Sequence, residues 1–287
     1  MSENKSFSRL NGTVPSPTEG SLPYLGQAAP GETPIIFAQG VISTGDVHSR
    51  LVISPDGKEM FWTTFEFLPE ARIARTWHII DNNGKWTEPQ IPPFLTIGMT
   101  SGCVFSPDGK KLFFNTTENI NLGWKTQYVE KTGSGWSDPK SDGFLLKPSA
   151  SFTKSGSVYF SAEMAGKPWN SGIYRARYSD AGYDNIQALD RTINSPYIDY
   201  TPYISPEGDY LMFSSSCPSS KEEMFLFISF TNDNGTWSTP QKMNEKMGFS
   251  ERARFPSISP DGKHLFFCGD DGNIYWINRT VINQFKS

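Results

Sequence analysis

This chain of 287 residues has little of what usually announces chemistry. It contains three cysteines and three histidines. Cys103, Cys217 and Cys268 show no metal-type spacing, and an odd set gives no complete disulfide framework. Cys103 and Cys268 fall inside apolar strand patterns and read as small buried hydrophobes. No Gly-x-Ser-x-Gly elbow is present, which argues against a serine hydrolase. No motif asks for a cofactor or a metal. Basic residues are not in excess: the net charge is -4 and the pI is near 5.5, so nothing resembles a nucleic-acid footprint. No apolar run of about eighteen residues exists, so no helix is expected to span a membrane. The start, Met1 to Lys5, lacks an apolar signal core. Two localisations follow: cytoplasmic if Met1 is the native start, periplasmic or extracellular if a leader has been removed. Segments with helical period are nearly absent.

What the chain does have is aromatic residues and turns. Aromatic content is 14%, high beside a hydrophobic content of 37%, and suits strands packed face to face. The 25 glycines and 21 prolines suit many turns. They recur in order. Ser54-Pro55-Asp56-Gly57, Ser106-Pro107-Asp108-Gly109, Ser205-Pro206-Glu207-Gly208 and Ser259-Pro260-Asp261-Gly262 each lead into an apolar aromatic run. A degenerate copy, Thr153 to Gly156, leads into Val158-Tyr159-Phe160. The five glycines are 52, 47, 52 and 54 residues apart, a period that signals a repeat architecture. The expected fold is all-β: a five-bladed β-propeller of four-stranded antiparallel sheets.

Each unit reads as four strands. A short mixed strand A precedes the turn, the aromatic strand B follows it, and strand C comes next. Strand D opens on Trp86-Thr87-Glu88-Pro89, Trp136-Ser137-Asp138-Pro139 or Trp237-Ser238-Thr239-Pro240, with Tyr183 in the third unit. A proline suits an outermost strand, which tolerates a missing donor. The recurring tryptophans read as packing between blades. The fifth unit lacks a strand D; Val281 to Phe285 reads as a short terminal helix or tail. Pro34 to Ile42 has strand character and no partner of its own, so it is expected to close the ring as the outer strand of the last blade. Residues 1–33 read as a largely irregular extension and 34–287 as one propeller, with a monomer expected. His264 follows a turn and is expected to face outward.

The Pro-x-x-Ser-Pro-Asp-Gly run and its aromatic strand, fullest in Pro202 to Phe213 and Pro256 to Phe267, resemble the WD40-like (PD40) repeats of the TolB-like propeller superfamily. The resemblance spans about residues 34 to 278. Its period is longer than in TolB-type repeats, and there are five units instead of six. It implies that strand A lines a central channel and that the A–B turns share one face. The Asp residues of the turns then organise the turns.

The opposite face, the mouth, follows from aligning the repeats. The lead-in to strand A carries His48, Ser49 and Arg50 in unit one, Thr100 and Ser101 in unit two, Lys147 and Ser149 in unit three, Asp199 and Tyr200 in unit four, and Arg252 and Arg254 in unit five. The end of strand B adds Glu66, Glu118, Glu163 and Asp270-Asp271, and Tyr200 and Phe65 add a stacking surface. One reading is a polar funnel for a protein segment or a carbohydrate, more anionic than cationic, since the guanidinium fork fits carboxylates. The bland reading is that these charges pair with one another. A carbohydrate-active enzyme is the alternative: Glu66, Glu118, Glu163, Asp199 and Asp270 offer carboxylates at the mouth. Against it, the first-strand positions where such acids belong hold Arg50, Gly102, Ser149, Thr201 and Phe255. A platform for a partner chain is the third reading.

Overall fold

The computed structural model describes residues 24–68, 71–95, 98–118, 123–141, 150–163, 171–179, 182–216 and 223–286. They form a five-bladed β-propeller of antiparallel sheets. A first short strand, β1 (Ile35–Ile36), stands apart from the blade that follows it. Blade 1 holds β2 (Val47–His48), β3 (Val52–Ile53), β4 (Glu59–Leu68), β5 (Ala71–Asn82) and β6 (Lys85–Trp86). Here strand A is split: β2 and β3 both pair with β4. Blade 2 holds β7 (Met99–Phe105), β8 (Lys111–Thr117), β9 (Lys125–Thr132) and β10 (Gly135–Trp136). Blade 3 holds β11 (Ser151–Phe152), β12 (Ser157–Glu163), β13 (Ser171–Ser179) and β14 (Gly182–Ala188). Blade 4 holds β15 (Asp199–Ile204), β16 (Tyr210–Ser216), β17 (Met224–Phe230) and β18 (Gln241–Lys242). Blade 5 holds β19 (Ala253–Ile258), β20 (His264–Gly269) and β21 (Ile274–Asn278).

β1 supplies the missing fourth strand of blade 5, with Ile35 opposite Trp276 and Ile36 opposite Tyr275. The closing strand is shorter than Pro34 to Ile42, because Ala38 turns into the left-handed region (φ 48°) and the chain bends toward blade 1. The N-terminal segment from Tyr24 also straps blade 5. Tyr24 is buried against His264 and Trp276, at ring separations of 5.1 and 5.6 Å. His264 is therefore buried, not outward-facing, because a segment remote in sequence covers it. Residues Arg279–Phe285 form a 3-10 helix capped by the Asn278 side chain. Its Val281, Ile282 and Phe285 are buried with Met243, Met247 and Leu265 between blades 4 and 5.

The Ser-Pro-Asp-Gly turns share one local solution. The Ser54 hydroxyl accepts from the Lys58 and Glu59 N–H groups and donates to Asp56. Ser106 and Ser259 behave alike with Asp108 and Asp261. Ser205 donates to Asp209 instead, since position 207 is the longer Glu207. The fourth residue is left-handed in every copy, φ 70° to 87° over Gly57, Gly109, Gly156, Gly208 and Gly262, which glycine adopts without a Cβ clash.

Strand B supplies the core. Met60, Phe61, Leu112, Phe113, Leu211, Met212, Leu265 and Phe266 are all buried, alternating between the two faces of their blades. Burying each such side chain contributes about 1.5–3 kcal/mol. The strand-D tryptophans pack on the preceding blade. Trp136 meets Phe61 and Trp237 meets Tyr159, while Trp86 joins the cluster of blade 5 residues around Phe266 and Trp276. After its proline, strand D resumes through the bridges Gln90 to His78 and Lys140 to Tyr128. A polar knot reinforces the seam of blades 1 and 2. Buried Glu59 accepts from His78 Nε2 and Trp136 Nε1, both at 2.9 Å, and from Lys131 Nζ. Burial alone would raise the Glu59 carboxyl, but these three donors outweigh it and bring it down to about 2.

Candidate functional site

The site begins with a bulge repeated in strand A. Register slips between Ser101 and Val104, between Tyr200 and Tyr203, and between Arg254 and Ser257. Two residues then oppose one, and the first of the pair turns into the left-handed region: Gly102 (φ 69°), Thr201 (φ 53°) and Phe255 (φ 58°). Gly102 adopts this at no steric cost. Thr201 and Phe255 do not, and such conformations cost about 1–3 kcal/mol each. In blade 1 the same place is the gap between β2 and β3, where Arg50 sits.

Arg50 does not reach the mouth. It is buried, and its guanidinium donates to the carbonyls of Ala150 (2.9 Å), Thr201 (3.1 Å) and Pro202 (2.7 Å). It links blade 1 to blades 3 and 4. Burial lowers its pKa to about 10. The residue expected to bind a ligand is thus placed inward, its guanidinium held by strand A carbonyls of blades 3 and 4.

Above it opens a cavity of about 550 Å³. Blade 1 contributes Val47, His48, Ser49, Phe65, Phe67 and Ala74. Phe65 and Phe67 share a face by strand alternation, and Phe65 lies opposite Ala74. The β4–β5 hairpin can do this because β4 has 10 residues where β8, β12 and β16 have 7, so its end overhangs the mouth. Trp124 and Met99 come from blade 2, Ser161 and Ser171 from blade 3, Tyr200 and Thr201 from blade 4, and Arg254 and Phe255 from blade 5. Tyr200 meets Phe255 edge-on at 6.0 Å. Burial pushes the Tyr200 phenol up to about 12, only partly offset by Arg254, so it stays a neutral donor.

Six of the residues expected at the mouth therefore meet here: His48, Ser49, Phe65, Ser101, Tyr200 and Arg254. The His48 ring is committed to backbone. Nδ1 lies 2.6 and 2.5 Å from the Asp46 and Gly272 carbonyl oxygens, and Nε2 lies 2.8 Å from that of Ile42. It ties the N-terminal segment, blade 1 and blade 5 together. Arg252 and Arg254 both contact Asp270, at 2.5 and 3.4 Å. The pairing expected from the bland reading is present at this rim, and neither Arg252 nor Asp270 lines the cavity.

The acids are dispersed. Glu66 and Glu118 are exposed and outside the lining. Asp199 is buried, with Oδ2 accepting from the Ser195 N–H and hydroxyl (2.7 and 2.8 Å) and Oδ1 from the Ser215 hydroxyl (2.5 Å). Burial raises its carboxyl to about 6 against these lowering bonds. The Glu163 side chain, Lys147, Ser149 and Cys217 lie outside the described residues. Among the described residues no carboxylate lines the cavity, and no cluster of three or more His, Cys, Asp or Glu could hold a metal. Cys103 and Cys268 are buried, and burial raises both thiols to about 12. Among the described residues no helix is long and apolar enough to cross a membrane.

Sequence reasoning passed over Phe67, Trp124 and Phe255 as lining residues. The signal for Phe67 was the unequal length of the strand B–C hairpins; for Trp124 there was none, because the B–C connections differ from blade to blade.

The chain matches no protein-family model, and no curated protein matches it. Solved structures are similar in fold. A GH43_12 protein retrieved from a capybara gut metagenome aligns with TM-score 0.51 and 13% identity, over 89% of this chain and 54% of that one. TolB from Acinetobacter baumannii aligns with TM-score 0.47 and 17% identity, over 82% and 55%. A gluconolactonase from Xanthomonas campestris aligns with TM-score 0.49 and 11% identity, over 88% and 96%. The chain spans about half the length of the TolB and GH43_12 chains. At these identities the likeness is one of fold.

Proposed function

We propose that the protein is a binding module that holds a carbohydrate in the propeller mouth without acting on it. The observation that carries this reading is the lining itself. Phe65, Phe67, Trp124, Tyr200 and Phe255 wall a cavity of about 550 Å³, within the usual range for small-molecule sites. Between them stand the hydroxyls of Ser49, Ser101, Ser161, Ser171 and Thr201. A pyranose ring has an apolar C–H face and a rim of hydroxyls, and this surface offers a complement to both. Each hydroxyl side chain donates and accepts, as a sugar hydroxyl does. A protein segment is the other ligand class the mouth admits.

Glycoside cleavage needs two carboxyl groups roughly 5 to 9.5 Å apart across the bond. One observation favours the enzymatic alternative: Asp199, with its carboxyl pushed up to about 6, is in the range of a proton donor. Both its oxygens are occupied by Ser195 and Ser215, however, and it stands outside the lining.

The test is a fluorescence titration of the purified protein with a panel of mono- and oligosaccharides, followed by analysis of the recovered sugars. Trp124 reports occupancy. Saturable binding that Phe65→Ala weakens, with sugars recovered intact, supports the reading. Cleaved or isomerised sugars would replace it with the enzymatic alternative.

A further inference from the structure

The carbohydrate reading does not say which carbohydrate, and the charges of the mouth do. Among the described lining residues Arg254 is the one with a permanently ionised side chain. Its guanidinium interacts with the Tyr200 phenol and is otherwise only partly engaged. Nε is buried and has no hydrogen-bond partner among the described residues. Nη2 reaches Asp270 Oδ1 at only 3.4 Å, while Asp270 Oδ2 is held by Arg252 at 2.5 Å. Asp270 thus meets two guanidinium groups, and Arg254 holds the longer of the two contacts. The Arg254 charge faces an aromatic cavity, where low polarity strengthens a charged hydrogen bond. Tyr200, a neutral phenol beside Arg254, is placed to donate as well.

The rest of the molecule supports a local reading over a general one. The chain carries a net charge of -4, so its overall field does not attract anions. An anion held at the mouth would be held by this group, not by a diffuse basic surface.

We propose that the ligand is an acidic sugar of the uronate type. Its ring carboxylate seats on Arg254 and its pyranose face rests on the Phe65 and Trp124 walls. A planar carboxylate matches the guanidinium fork with two parallel bonds, which a neutral hydroxymethyl group cannot do. Asp270 is the internal competitor for that fork. The proposal rests on the carbohydrate reading above and adds the charge of the sugar to it.

The experiment is calorimetric titration of the full chain with short galacturonate and glucuronate oligomers, their neutral galactose and glucose counterparts, a sulfated counterpart, and an acidic peptide. The uronates should bind about ten-fold or more tightly than the neutral sugars, as a charge-assisted pair implies. Arg254→Gln should erase that ratio and leave the weak neutral binding. Asp270→Asn should tighten uronate binding, because it releases the fork; this variant keeps the test decisive if Arg254→Gln fails to fold. Equal affinity for acidic and neutral sugars overturns the proposal and leaves the carbohydrate reading standing. So does a preference for the sulfated sugar over the uronate. Binding of the acidic peptide alone, with no sugar bound, overturns both.

Discussion

On the turn face of the propeller, three blades repeat one hydrogen-bond arrangement around Ser54, Ser106 and Ser259, and a fourth varies it by shifting from position 207 to Asp209. In strand A the equivalent positions of four blades hold four different residues: Arg50 turns inward to carbonyls of other blades, while Gly102, Thr201 and Phe255 turn left-handed and line the mouth. The turn face is what five copies of a unit need in order to fold. The mouth face is where the copies have diverged, and two of its bulge residues take up backbone conformations that glycine would adopt without strain. Local rules agree where the sequence only has to build the turns, and fail at the mouth.

The largest effect should come from removing Arg50, which links blade 1 to blades 3 and 4. Arg50→Ala removes a buried guanidinium that donates to the Ala150, Thr201 and Pro202 carbonyls, of which Pro202 keeps the Ser151 hydroxyl, and a loss on the order of 3 kcal/mol in denaturant unfolding is expected. Arg254→Ala, at the rim, should shift the unfolding midpoint by much less, within about 1 kcal/mol. Similar losses for both would erase the distinction between a channel residue and a mouth residue.

Ring closure comes next. Removing residues 1–43 takes away β1, Phe37 and the Tyr24 strap and should destabilise every blade in one cooperative transition. Removing residues 1–20 should leave the melting temperature unchanged, because the strap and the closing strand remain. Equal melting temperatures for both truncations would contradict closure by the N-terminal strand.

The two buried acids set the two faces against each other in pH. Glu59, on the turn side, has its folded pKa depressed from 4.5 to about 2. Its contribution is therefore present above pH 4.5 and lost as pH falls toward 2. Asp199, on the mouth side, has its folded pKa raised from 3.8 to about 6. In that window the folded state binds more protons than the unfolded one, so stability falls as pH rises from about 4 to 6. Glu59→Gln should flatten the acid limb and Asp199→Asn the limb between 4 and 6, each read from unfolding midpoints against pH. A slope between 4 and 6 that survives Asp199→Asn would show that this carboxyl is not its source.

The smallest effect should be Thr201→Gly. Relief of backbone strain offsets the lost hydroxyl contact to Ser214 (2.7 Å), and net stability should change by less than about 1 kcal/mol. Sugar affinity at the mouth should still drop. A large destabilisation would mean that the left-handed Thr201 is held for packing alone.

Much of this architecture was legible because its signals are local. Ser54 speaks to Asp56 and Glu59, five residues away at most, so each turn can be read from a short window. The ring closure was legible because Pro34 to Ile42 had strand character and nothing else to pair with, although only Ile35–Ile36 pair in the last blade. The site was legible only in part. Alignment located Arg50, Tyr200 and Arg254 at one rim, but a bulge decides whether a side chain enters the channel or the mouth, and one residue of register reverses the answer. The covering of His264 by Tyr24 spans 240 residues of chain and left no trace in the spacing. Phe67 sits on the overhang that makes β4 longer than its counterparts, and Trp124 on a connection that differs from blade to blade, so neither has a repeat equivalent to point to it.

The most direct measurement of the account is sugar binding by two paired variants of the full chain. Phe65→Ala with Trp124→Ala strips the mouth walls, and Lys154→Ala with Glu207→Ala removes an exposed ion pair on the turn face. The account predicts that the mouth pair abolishes saturable binding at unchanged melting temperature while the turn pair binds as the parent does. Binding lost from the turn pair and kept by the mouth pair would contradict it.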